Sequence, residues 1–134
     1  MINVEDVDVI FNYTDNLLRT PVTELAASKG LHIMVEKPMA YNLKEAERML
    51  ESAKMNNVKI MINWPIMWSA AYRKAHELVE NGTIGRIYHI RARTGHNSCE
   101  KEYFVGSCFQ WMGRNEASGA YMDFCCYGVA WAVW

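Results

Sequence analysis

The chain has 134 residues, 51% of them hydrophobic and 22% charged, with a formal net charge of −1 at pH 7. That composition supports a buried core and excludes a disordered chain. The balanced charge gives no electrostatic footprint for nucleic acid or an anionic membrane surface. No apolar run approaches the roughly 20 residues that cross a bilayer, and the opening MINVEDVDVIF has no basic stretch ahead of an apolar one, so it does not read as a secretory leader. The expectation is a cytoplasmic protein with reduced thiols. The four cysteines, Cys99, Cys108, Cys125 and Cys126, contain no C-x-x-C spacing, and no metal site is expected. The length suits one domain, or pieces of two.

In chain order, VDVIFNY (7–13) is a β-branched and aromatic run that predicts a strand buried on both faces. TPVTELAASK (20–29) predicts a helix, with Pro21 near its first turn and Gly30 just past its end. LHIMV (31–35) is a second strand. Asn42 then caps LKEAERMLESAKMNN, with Glu45 completing a capping box. Leu43, Ala46, Met49, Leu50 and Ala53 fall on one stripe of that helix. VKIMI (58–62) is the third strand. Ser69 caps AAYRKAHELVEN, which stops at Gly82, and RIYHIRAR (86–93) alternates as a half-exposed antiparallel strand does. ASGAYMDFCCYGVAWAVW predicts a packed apolar helix, in which Cys125 and Cys126 read as small buried groups. It reaches Trp134 without a cap or polar turn, and the first strand lacks sheet neighbours on one side. The sequence reads as a fragment.

Strand–helix–strand–helix–strand with short connections predicts a parallel sheet with right-handed crossovers. The carboxyl ends of all three strands then share one edge, where ligands bind in open α/β sheets. Asn12-Tyr13-Thr14-Asp15-Asn16, Glu36-Lys37-Pro38 and Asn63-Trp64-Pro65 all fall there. Glu36-Lys37 on its own is equally a surface pair in an ordinary loop. A lysine locked against a proline at that edge is the feature that points to a site.

The segment VDVIFNYTDNLLRTPVTELAASKGLHIMVEKPMA resembles the Gfo/Idh/MocA family, the glucose–fructose oxidoreductase and inositol dehydrogenase-like enzymes. The family shows a strand ending in Ala-Thr-Pro-Asn, a helix, Gly-Lys-His-Val and then Glu-Lys-Pro. Thr14, Asn16, Gly30, His32, Glu36, Lys37 and Pro38 match that order without a gap. AYRKAHELVENGTIGRIYHIRAR resembles the family's crossing into its second domain, and ASGAYMDFCCYG its helix with an Asp and, four residues later, a His or Tyr.

The resemblance implies an α/β fold. The C-terminal part of a parallel, doubly wound Rossmann domain (1–64, without the Gly-rich loop) would be followed by the start of an α/β domain with a mainly antiparallel sheet (65–134). It implies an oxidoreductase that uses NAD or NADP to move hydride to or from the CH–OH carbon of a sugar, polyol or derivative. Lys37, Asp123 and Tyr127 would be catalytic. Thr14, Asn16, Glu36, Lys37 and Trp64 would meet the cofactor, and Lys37, His96, Asp123 and Tyr127 the substrate. Trp64 and Trp68 either wall that pocket or pack in the core. Asp123 and Tyr127 are i and i+4, so an α-helix would set them on one face. Removing hydride from an alcohol also requires a base for the hydroxyl proton. A free phenol titrates near pH 10, and a lysine cation beside it favours the phenolate. The family is also usually homo-oligomeric.

Three departures temper this. Asp15 stands where the family has proline and would repel a pyrophosphate. Arg19 stands where it has histidine; it either offsets Asp15 or, the reading preferred, is only a helix-face charge. The fingerprint G-x-G-x-x-G occurs nowhere in the sequence, so the chain alone is expected to bind cofactor weakly and to be inactive. Two other readings stay open: a non-catalytic ligand-binding relative or remnant, and an enzyme forming a Schiff base on Lys37.

Overall fold

The computed structural model describes residues 6–93 and 121–134, the side chains of Tyr121 and Asp123 excepted. His96, Cys99 and Cys108 therefore lie outside the described residues. The elements run β1 (Val9–Asn12), α1 (Asn16–Ser28), β2 (His32–Glu36), α2 (Leu43–Met55) and β3 (Ile60–Asn63). A single 3-10 turn (Pro65–Trp68) leads into α3 (Ala70–Glu80). Farther on, a π-helical turn (Tyr121–Cys125) continues as α4 (Cys126–Val133).

The sheet order is β1-β2-β3, with both pairings parallel. Phe11 pairs with Met34 and Met34 with Met61, so the strands finish nearly level and their carboxyl ends share one edge. Alternation along the strands sends Ile33 and Val35 under α1 and α2, where they join Ala26, Ala27, Ala40 and Met49 in the core. Each of the larger side chains contributes about 1.5–3 kcal/mol by leaving water.

The opposite face departs from the expectation of a first strand buried on both sides. Val9 is 45% exposed and Phe11 62% exposed, because among the described residues no helix covers that face.

Several other elements differ from the pattern in the sequence. α1 begins four residues earlier than its apolar pattern suggested, because Asp15 is its N-cap: Asp15 Oδ1 accepts from Leu17 N at 2.9 Å. Pro21 consequently lies inside the helix. In α2, Asn42 Oδ1 accepts from Glu45 N at 2.9 Å, which is half a capping box. The Glu45 carboxylate is taken instead by Arg48 Nη1 at 2.9 and 3.0 Å, while the same guanidinium donates to Glu24 on α1. That clamp turns the helix so that Glu45, Met49 and Ala53 are buried, whereas Leu43 and Leu50 stay exposed. Ser69 stands at the N-cap of α3 but makes no side-chain cap bond.

Residues 86–93 form no strand: among the described residues nothing pairs with them, so their alternation finds no ladder. The antiparallel sheet expected of the second half is thus not seen among the described residues. Cys125 is exposed and Cys126 half-buried rather than both packed inside, since only Ala130 of α4 is buried. At Gly128, α4 comes so near residue 92 that a Cβ would meet the Ala92 Cβ at 2.9 Å.

Candidate active site

The three strand ends build the floor of the site. Asn12, the last residue of β1, is 2% exposed and directs its amide across the start of α1. Its Nδ2 donates to the Arg19 carbonyl at 3.0 Å and to Thr23 Oγ1 at 3.3 Å, and its Oδ1 accepts from Thr14 Oγ1 at 2.6 Å. Glu36 ends β2 in register with Asn63 at the end of β3, and Asn63 Nδ2 donates to Glu36 Oε2 at 2.8 Å. Asn63 Oδ1 in turn accepts from Trp68 Nε1 at 3.1 Å, which fixes that half-open indole on the edge. A parallel register this well matched is what brings the two polar termini together.

Lys37 follows β2 directly. The Lys37–Pro38 peptide is cis, Pro38 is buried and Lys37 half-buried. Lys37 Nζ lies 5.0 Å from the centre of the Tyr127 ring and 5.7 Å from that of Phe124, both within the range of a cation–π contact. The Tyr127 ring meets Trp64 edge-on, with centroids 6.2 Å apart. Residues far apart in sequence thus converge: Lys37 from the β2 end, Trp64 from the β3 end and Tyr127 from α4.

The remaining expected residues divide. Thr14 is half-buried with its hydroxyl spent on Asn12, and Asn16 is 1% exposed, so its side chain sits inside the fold. Glu36 is half-buried and its carboxylate is engaged by Asn63. Asp123 falls on the π-helical turn, four residues before Tyr127. Its side chain lies outside the described residues, as does His96. Because the backbone passes from π to α winding between Asp123 and Tyr127, their spacing is not that of one regular helix. Such bulges recur at functional sites.

Phe124 was not foreseen at the site, Arg19 reads in the sequence as a helix-face charge, and Asn12 is placed at the edge without a role. An asparagine closing a run of valine, isoleucine and phenylalanine was the signal for Asn12: a polar group at a buried strand end must bond something. Arg19 is 3% exposed, not a helix-face charge, and donates from Nε to the Thr14 carbonyl at 3.2 Å and from Nη1 to the Pro38 carbonyl. Asp15, expected to repel a pyrophosphate, spends its carboxylate on the helix N-terminus.

Two sequence models of one family match the chain. Residues 1–64 match that of the oxidoreductase family with an NAD-binding Rossmann fold, and residues 72–134 that of the GFO/IDH/MocA C-terminal domain.

The chain belongs to the Gfo/Idh/MocA oxidoreductase family.

Within this family it is similar to the D-xylose 1-dehydrogenase [NADP(+)] of Haloarcula marismortui, 31% identical over 122 residues that make up 90% of this chain and 33% of that protein. The 1,5-anhydro-D-fructose reductase of Ensifer adhaerens is 34% identical over 91 residues, 68% of this chain and 27% of that one. The crystal structure of the aldose-aldose oxidoreductase of Caulobacter crescentus, complexed with glycerol, superposes with a TM-score of 0.73 at 27% identity, covering 98% of this chain and 38% of that one. The chain therefore spans only about a third of the length of these Gfo/Idh/MocA proteins.

The residues present fit one end of a nicotinamide cofactor. Lys37, Tyr127 and Trp64 offer a cation and aromatic surface of the kind a flat ring and a polar substrate require. A glycine-rich turn for the pyrophosphate is not among these 134 residues. The buried Thr20 Oγ1 has no hydrogen-bond partner among the described residues, but at 0% exposure it is closed to any ligand.

Proposed function

We propose that the protein containing this chain is an NAD(P)-dependent oxidoreductase acting on a CH–OH group of a sugar, polyol or derivative, with residues 1–64 in its nucleotide-binding domain and 65–134 in its substrate domain. The observation that carries the reading is the meeting of Lys37 with Tyr127, and of Tyr127 with Trp64, at the carboxyl edge of a parallel sheet. The similarity to two enzymes whose names specify sugar oxidation or reduction supports the substrate class.

In the oxidising direction a bound nicotinamide would supply the hydride acceptor. The chain's own residues manage the proton and the alignment. Lys37 Nζ donates to the substrate oxygen and keeps it beside the reacting carbon. Tyr127 Oη takes the hydroxyl proton. The ammonium over the Tyr127 ring attracts the ring's negative face, and attracts a phenolate's delocalised charge more strongly still. Asp123 holds a second substrate hydroxyl and Trp64 walls the pocket, while His96 joins the substrate side. Thr14, Asn16 and Glu36 support the cofactor side by fixing the loops around it. Homo-oligomer formation and a cytoplasmic location complete the proposal; among the described residues no helix is long and apolar enough to cross a membrane.

The test is the purified product of the complete reading frame, assayed for reduced nicotinamide formation with a panel of aldoses and polyols. Removing one donor to an oxygen that gains charge typically costs about 10²–10³-fold in kcat, and Lys37→Met is expected to lower kcat by that order. Unchanged turnover in that variant would sink the assignment. Borohydride trapping of substrate on Lys37 would replace it with Schiff-base chemistry.

A further inference from the structure

Arg19 is 3% exposed, and the function proposed above gives its guanidinium no task. Its geometry does. Nε donates to the carbonyl of Thr14, 3.2 Å away, in the loop that leaves β1. Nη1 donates to the carbonyl of Pro38, the residue immediately after Lys37 in the loop that leaves β2. One rigid side chain thereby ties together the two main-chain loops that bound the site.

The base of the bridge is itself braced. The Arg19 carbonyl accepts from Asn12 Nδ2 at 3.0 Å, and Asn12 Oδ1 accepts from Thr14 N at 3.3 Å as well as from the Thr14 hydroxyl. Thr14, Arg19 and Asn12 thus form a closed circuit at the end of β1, and Arg19 Nη1 carries that circuit across to Pro38, beyond the end of β2.

Chemistry favours arginine for this task. A guanidinium presents five N–H donors in a fixed plane, so Nε and Nη1 point at separate acceptors together, and it stays charged at any ordinary pH. A lysine ammonium is a point donor on a flexible stem, and could hold one carbonyl but not set the distance between two. Burying a charge this deeply is costly unless it is well bonded.

We infer that Arg19 is a positioning residue for Lys37. By fixing the Pro38 carbonyl against the β1 loop, it sets where the Lys37 ammonium lies, over the rings of Tyr127 and Phe124. Its consequence for turnover rests on the role proposed for Lys37, whereas the positional effect does not.

The test therefore reads position first. The 134-residue chain and its Arg19→Lys, Arg19→Met and Met49→Ala variants are treated briefly with an amine-acylating reagent. Modification of the half-buried Lys37 is measured by peptide mass spectrometry against the exposed Lys44. Both Arg19 variants should raise the Lys37-to-Lys44 ratio several-fold. Met49→Ala, which loosens the core from the far helix, should leave that ratio unchanged. A wild-type ratio in Arg19→Met overturns the inference. So does a wild-type ratio in Arg19→Lys, since charge alone would then suffice, and so does an equal rise in Met49→Ala, which would mean general loosening. If Arg19→Met fails to fold, Arg19→Lys decides by itself. In the complete enzyme, Arg19→Lys should also lower kcat. If that enzyme shows no nicotinamide-dependent activity at all, the proposed function fails, and the labelling result still judges Arg19.

Discussion

Asn12 makes four hydrogen bonds beside the site. It satisfies the Arg19 carbonyl, Thr23 Oγ1, and the hydroxyl and amide of Thr14. Replacing it with leucine would keep the volume but strand those groups in a place with 2% exposure. A buried group left unpaired costs about 1–3 kcal/mol, so Asn12→Leu should destabilise the chain by at least that much in urea unfolding. A loss below half of the lower figure would mean that water reaches the cavity. At this scale the sequence was only partly informative. Lys37 stood out because a proline follows it at the sheet edge, Tyr127 only through the family resemblance, and the structure brings them together. Arg19 was opaque, because burial of an arginine depends on two carbonyls that become neighbours only when β1 and β2 pair. Whether a charged side chain faces water or a peptide is decided by tertiary contact, which no local pattern records.

Among the elements, α1 and α2 illustrate the same divide. The existence of each helix was readable from period and punctuation, and both formed. Their orientation was less so. Leu43 and Leu50 belong to the apolar stripe yet remain exposed, while Met49 and Ala53 of the same stripe are buried. Arg48 ties Glu45 on α2 to Glu24 on α1, which brings the Glu45–Met49–Ala53 side of the stripe against the core. The Arg48 guanidinium is held in its charged form chiefly by its hydrogen bond to Glu45, then by that to Glu24. Met49 is the anchor of the face that results, at 0% exposure beneath the sheet. Truncating a buried methionine to alanine costs about 2–5 kcal/mol, so Met49→Ala should lower the denaturation midpoint accordingly. Leu50→Ala, by contrast, should change little, since that side chain is already 43% in water. Equal losses from the two variants would mean that Leu50 is packed as tightly as Met49. The predicted strand at 86–93 is not seen among the described residues for a related reason: alternation describes a strand's two faces, but only a partner's hydrogen bonds make it a strand.

For the whole molecule, the dominant feature among the described residues is a sheet with one covered and one open face. Phe11, Met34 and Met61 form a cross-strand row on the open side, with Val9 and Tyr13 extending the apolar patch along β1. A parallel sheet is ordinarily covered on both faces, and an apolar surface of this kind attracts whatever apolar partner it meets. The 134-residue chain should therefore bind the dye ANS while keeping its circular dichroism, and Phe11→Glu should reduce both dye binding and self-association. Dye binding unchanged by that substitution would locate the open surface elsewhere. The family and its parallel sheet were legible from an ordered set of short motifs spread along the first half. The extent of solvent exposure was not, because a strand's sequence shows how apolar it is and never what covers it.

The middle position of β2 has a consequence in time as well as in space. Among the described strands β1 and β3 pair only with β2, and Lys37 follows directly on the end of that same strand. Neither ladder can begin until β2 is in place, so the strand that presents the ammonium is also the one on which refolding should depend. Ile33→Val, a loss of about 0.5–1.5 kcal/mol, should appear mainly as slower refolding. Met67→Ala, in the turn beyond β3, should instead hasten unfolding and leave the refolding limb nearly where it was. A chevron with those two assignments exchanged would move the nucleus away from the strand that ends in the site.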